Sequence, residues 1–192
     1  MNKFQKAISL IDEINAQDPT KEIFEGKEYA KELLYSMRMT DKLAHFEPDC
    51  SEAMMLAVRA QHIARWKIPR SEYPMDRVGY LKWREELKKM HADMAAEILQ
   101  EAGYDEETIE RTKFLIRKKQ LKTDPDTQTM EDVICLVFLE YYFEEFAAKH
   151  ENEKVIDILQ KTWAKMSEKG HRAALQLPLS PSSLELVKEA IT

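Results

Sequence analysis

The chain has 192 residues, 44% of them hydrophobic and 33% charged, with a formal net charge of −6. That length can bury one substantial core, and that apolar content excludes disorder as the governing state. The acidic balance argues against broad coating of nucleic acid, and with only 4 Gly and few runs of Val, Ile and Thr there is little material for a sheet.

The opening residues Met1 to Lys6 enter an amphipathic pattern at once and lack the apolar stretch of a signal peptide. No segment approaches the ~18 apolar residues that a membrane span needs. Two cysteines, Cys50 and Cys135, are read as reduced thiols of a cytoplasmic protein rather than a disulfide framework.

Residues 2–16 predict an amphipathic helix, with Phe4, Ala7, Ile8, Ile11 and Ile14 on one face, stopped by Asp18 and Pro19. A second helix is expected from about Glu28 to Phe46, and a third from an N-cap at Ser51 to a stop before Pro69. After a loop over Pro69–Pro74, a long helix covers about Val78–Ala102 and ends on Gly103. A shorter one follows over about Glu106–Lys119. The turn Thr123–Asp126 leads into a helix from Thr127 to Lys149, whose segment Val133–Phe143 is apolar almost all round and belongs mid-bundle. The last two helices are expected over about Glu153–Lys169, ending at Gly170, and from about Ser182. With no repeat, no long linker and no alternating segment, the expectation is all-α: one compact multi-helix bundle over residues 1–192.

Three metal-type side chains share helix faces with apolar residues. His62 follows Val58 by one turn, His91 follows Leu87, and Asp132 precedes Leu136 and Leu139. A buried Asp needs a partner, and two His and an Asp from three helices can converge on one divalent cation, Mn, Fe, Co, Ni, Zn or Mg. The plainer account is two satisfied core histidines and an Asp that interacts with the N-terminus of its own helix, within about two turns of which it lies. Glu131, beside Asp132, is the candidate general base.

A second feature is a local positive excess from Arg59 to Lys89 in an otherwise acidic chain, with Trp66, Tyr73, Tyr80 and Trp83 interleaved. Arg59, Arg65, Arg70 and Arg77 are the candidate phosphate clamp at a pocket mouth, with Lys118 and Lys161 as further candidates. A solvated helix face with Arg–Glu pairs is the competing account.

The runs RAQHIARWKIPRSEYPMDRVGYLKWR, HADMAAEIL, LKTDPDTQTMEDVICLVFLEYYFEEFAAKH and KVIDILQKTWAKMS resemble the domain of unknown function 4202 family across nearly the whole chain. That resemblance implies no activity. The order of His62, His91 and Asp132 on successive helices is similar, more weakly, to the all-helical HD-domain metal-dependent phosphohydrolases. These hold a metal with an early His, an adjacent His-Asp pair and a later Asp. Here His91 is followed by Ala92, so the carboxylate of the pair is missing.

Three functions are consistent with these readings. One is a divalent-metal-dependent phosphohydrolase acting on a nucleotide or other small phosphorylated compound. Another is a non-catalytic helical module binding an anionic ligand or an RNA end. The third is a helical interaction protein without a small-molecule site. A small phosphorylated ligand is favoured over nucleic acid, and no membrane association is expected.

Overall fold

Among the described residues, 1–191, the computed structural model holds ten α-helices and one β-hairpin. Helix α1 (Lys3–Asn15) starts in a capping box, in which Asn2 accepts from the Gln5 amide and the Gln5 side chain accepts from Asn2. Strands β1 (Lys21–Phe24) and β2 (Lys27–Ala30) pair antiparallel, Lys21 opposite Ala30 and Phe24 opposite Lys27. This hairpin departs from the all-helical expectation. Its turn places Glu25 at φ 50° and Gly26 at φ 75°, the left-handed pair that two-residue hairpin turns favour. The chain passes directly into α2 (Lys31–Phe46), so the hairpin takes the first turn expected of that helix.

Helix α3 (Glu52–Ala60) is capped by Ser51 as expected, but it ends about two turns before Pro69. Ala64 turns left-handed at φ 53°, and two short 3₁₀ turns, Arg65–Lys67 and Arg70–Glu72, carry the chain to α4 (Arg77–Ala102). Buried Asn15 holds the unusual turn by accepting from the Ala64 amide at 3.1 Å. Helices α5 (Glu106–Ile116) and α6 (Pro125–Val137) are capped by Asp105 and Asp124, and Pro125 occupies the first turn of α6, where its missing N–H costs nothing.

Beyond α6 the chain makes a π-helical turn, Phe138–Tyr142, and resumes as α7 (Phe143–Ala148). The expected helix over Glu153–Lys169 is two helices, α8 (Asn152–Trp163) and α9 (Glu168–Ala174), followed by α10 (Pro181–Ile191). Gly170 lies inside α9, not at a helix end. A Cβ there would sit 2.6 Å from Asp132 Oδ1, so the glycine is set by close packing.

Two apolar cores explain why the α6 segment is apolar all round. Met130, Val133 and Val137 face a core shared with α1 to α5, whereas Cys135, Leu136 and Leu139 face a second one built with α8 and α10. The result is a mostly α-helical bundle with α6 between its two cores. No described helix is long and apolar enough to cross a membrane.

Candidate functional site

A pocket of about 990 Å³ opens between α2, α4, α6 and α8. Helical periodicity supplies its walls. Arg77, Tyr80, Leu81 and Arg84 recur at i, i+3, i+4 and i+7 along α4 and form one stripe. Ile158, Lys161, Thr162 and Lys165 repeat that spacing along and just past α8, and Glu131, Ile134, Cys135 and Phe138 repeat it along α6. Lys31, Glu32 and Tyr35 come from α2, and Gln61, His62 and Arg65 from the end of α3 and the turn after it.

Seven cationic side chains line this pocket, Lys31, Arg65, Arg77, Arg84, Lys118, Lys161 and Lys165, against the carboxylates Glu32 and Glu131. Three of the seven have anionic partners. Lys118 Nζ lies 2.7 Å from Glu131, Arg65 Nε lies 3.8 Å from Glu32, and Lys161 pairs with Asp157 at 2.6 Å on the exposed side of its helix. The side chains of the other four, Lys31, Arg77, Arg84 and Lys165, make no hydrogen bond or ion pair among the described residues. Arg84 is the electrostatic centre of the group. Its charge acts on Tyr35, His62, Arg65, His91, Lys118 and Glu131 alike.

Burial shapes the ionisation of the pocket floor. It pushes the Glu32 carboxyl up to about 7, although Arg65 opposes the rise. Burial, then the positive charge of Arg65, holds His62 well below its ordinary value, so the ring is neutral. A guanidinium has only donors. Arg65 Nη1 at 3.3 Å from His62 Nε2 therefore assigns the acceptor role to Nε2 and the proton to Nδ1, which faces Glu32 at 3.3 Å. Tyr35 stacks on the same ring, with centroids 4.1 Å apart, and donates to Gln61 Oε1 at 2.8 Å. At the other carboxylate, burial raises Glu131 but Lys118 outweighs it and holds the group below the usual range. Lys118 is itself lowered, chiefly by burial. Burial also pushes the Cys135 thiol up to about 12, which leaves it inert as a nucleophile.

The candidate residues divide by place. His62, Arg65, Arg77, Lys118, Glu131 and Lys161 line the pocket. Arg59 does not. It grips Asp12 with two hydrogen bonds, at 2.7 and 2.6 Å, and reaches Thr40, tying α3 to α1 and α2. Arg70 does not either. It donates to the carbonyls of Tyr73 and Asp76 and lies over Tyr80 and Trp83, bracing the loop before α4.

The metal candidates also separate. The His62 and His91 rings are neighbours, with centroids 5.9 Å apart. Asp132 turns away from them toward α9. Its Oδ1 accepts from the Ser167 amide at 2.8 Å and from Gln128, and its Oδ2 accepts from the Ser167 hydroxyl. Ser167 in turn caps α9 through Gly170, so Asp132 secures the start of another helix, not of its own. His91 Nδ1 bonds the Ile63 carbonyl at 2.7 Å, which leaves buried Nε2 without a partner, and burial lowers the ring to about 3. Among the described residues no group of three or more His, Cys, Asp or Glu is arranged to hold a metal ion. The three side chains therefore do not fit one cation in the arrangement described.

Sequence reading missed Arg84, Lys31, Lys165, Tyr35 and Gln61 as site residues. Arg84 belongs to the basic stretch, but Glu85 and Glu86 follow it, and nothing in the linear charge pattern sets it apart as a clamp residue. Its seven-residue spacing from Arg77, with Tyr80 and Leu81 between, is the signal that identifies the stripe.

Fold and site define a helical protein with a cation-lined pocket. The chain belongs to the family described as domain of unknown function DUF4202, which matches residues 5–187. No curated protein and no solved structure matches it.

Proposed function

We propose that this protein binds a small phosphorylated anion in the pocket between α2, α4, α6 and α8. One observation carries the reading: four cations that make no hydrogen bond or ion pair among the described residues, Lys31, Arg77, Arg84 and Lys165, line one pocket of a chain whose net charge is −6. Mutual repulsion makes such a group costly to assemble, and an anion relieves it. Arginine suits the task because its planar fork meets phosphate with two parallel hydrogen bonds. The volume lies at the upper end of the range for small-molecule sites, roughly 300–1,000 Å³. The unpaired thiols Cys50 and Cys135 accord with a cytoplasmic setting for such a ligand.

Calorimetric titration with pyrophosphate tests the reading. Binding is expected, weakening as salt is added, and Arg84→Ala is expected to weaken it tenfold or more. Absence of heat at millimolar pyrophosphate, with no thermal stabilisation, would remove the proposal.

A second reading is the divalent-metal-dependent phosphohydrolase, with an HD-domain-like arrangement of helices. Its support is the His62–His91 pair beside the pocket and the unpartnered Nε2 of His91. In that reading Asp132 must leave Ser167, and Glu131 must leave Lys118 to serve as base. Elemental analysis of protein purified without chelator or affinity metal separates the two readings. A stoichiometric divalent metal favours the hydrolase, and its absence favours the binding module.

A further inference from the structure

The pocket is polarised along its length. Helices α6 and α8 pass it in opposite senses: Gln128 at the start of α6 donates to the Lys165 carbonyl beyond the end of α8 at 2.9 Å, and Cys135, two turns further along α6, has its thiol 4.0 Å from the carbonyl of Thr162, earlier in the chain than Lys165. One end of the groove therefore collects Glu131, its partner Lys118, and Lys165, with Arg84 close enough to act on both members of that ion pair. At the other end stand Phe138, Phe146 and Ile158, which lie further along α6–α7 and nearer the start of α8. Seven helical residues separate Glu131 from Phe138, about 10 Å along the axis.

The apolar end is built of rings. Phe138 and Phe146 meet edge to face at 6.0 Å, and both are only partly buried, so ring surface remains toward the pocket. The π-helical turn Phe138–Tyr142 adds a residue to that turn of the helix and alters which side chains meet the groove; such turns recur at functional sites. Gln61 supplies a polar handle. It is 5% exposed and lines the pocket, and its Oε1 is taken by Tyr35 while its amide Nε2 has no partner among the described residues. That donor is not one of the buried unpartnered atoms, so it stays open to solvent from a residue that lines the pocket, and an acceptor on whatever fills the pocket can take it.

Resting on the anion-binding reading, we infer that the ligand is a ring-bearing phosphate ester with at least two phosphates, of the nucleoside diphosphate kind. The phosphates meet Arg84, Lys165 and Arg65. The planar ring lies on Phe138 and Phe146, and a ring acceptor takes the Gln61 amide. A phosphate alone leaves the ring-lined half unfilled. A plain alkyl diphosphate brings no ring acceptor to the Gln61 amide. Stacking on aromatic faces is worth roughly 1–3 kcal/mol per base, a five- to hundredfold gain in affinity.

The test is calorimetric titration of the full chain with four probes: pyrophosphate, ribose 5-diphosphate, a purine and pyrimidine nucleoside diphosphate set, and geranyl diphosphate. At least one nucleoside diphosphate is expected to bind tenfold or more tighter than pyrophosphate and ribose 5-diphosphate. Phe138→Ala should bring nucleoside diphosphate affinity down to that of pyrophosphate measured on the same folded variant, and Phe138→Tyr should keep the advantage. Equal affinity for pyrophosphate and every nucleoside diphosphate overturns the ring inference while the anion reading stands. Tightest binding of geranyl diphosphate overturns it in favour of an alkyl chain. Failure of all four probes removes both proposals.

Discussion

Two arginines, Arg59 on α3 and Arg84 on α4, illustrate two uses of the same side chain. Arg59 meets Asp12 with a bidentate pair and is committed to holding α3 on α1. Arg84 makes no hydrogen bond or ion pair among the described residues and lines a pocket with three more such cations. Both lie in the one basic stretch that singles out the region in the sequence. A paired cation stabilises the fold and is unavailable to a ligand. An unpaired one repels its neighbours, destabilises slightly, and is available.

The sharpest break of this comparison is expected at Arg59. Arg59→Ala leaves Asp12 without its partner, and removal of one member of a buried pair costs about 3–5 kcal/mol. Because the side chain of Asp12 is 30% exposed, solvent screening brings the expectation down to about 2–3 kcal/mol. Urea unfolding should show a lower midpoint with unchanged slope, and pyrophosphate affinity in the folded fraction should match wild type.

A comparable effect follows from Glu32, through pH. Its carboxyl rises from 4.5 to about 7 on folding, so between those values the folded chain binds more protons than the unfolded one. Stability contributed by the protonated carboxyl is therefore lost as pH climbs from 4.5 to about 7, on the order of 3 kcal/mol in all. His91 acts in the opposite sense. Its fall to about 3 from 6.5 means that stability is lost as pH drops through that window. Glu32→Gln should therefore be more stable than wild type at pH 8, with the difference shrinking toward pH 4.5. A Glu32→Gln curve parallel to wild type across this range would contradict the assignment.

Arg84→Ala should do the reverse of Arg59→Ala. Ligand affinity is expected to fall by the worth of a charge-assisted hydrogen bond, about 1.5–3 kcal/mol, while the unfolding midpoint stays level or rises. A stability loss as large as that of Arg59→Ala would show that Arg84 has a structural partner after all.

The smallest effect separates two left-handed residues of the α5–α6 loop, Lys118 at φ 53° and Gln120 at φ 56°. A non-glycine in this region carries roughly 1–2 kcal/mol of strain, partly recovered by glycine after its own entropic cost. Gln120→Gly should gain about 0.5 kcal/mol and leave binding alone. Lys118→Gly relieves the same strain but strips Glu131 of its partner, so it should lose both stability and ligand affinity.

The sequence by itself determined the helices whose ends are written locally. Ser51 caps α3, Asp124 and Pro125 start α6, and Gly103 ends α4, because each signal acts on backbone groups within one turn. It also determined the centrality of the α6 segment, since apolar residues on every face must be covered on every face. Tertiary structure decided the rest. Four-residue strands carry too few alternations to announce a hairpin, though Glu25-Gly26 marked the turn. Asp132 looked like a ligand until Ser167, 35 residues later, was seen to occupy it. Arg59 looked like a clamp until Asp12, 47 residues earlier, met it. Helical periodicity fixes which face a side chain occupies, but whether its charge is met depends on a partner brought by the fold from another helix, and no local pattern encodes that distance.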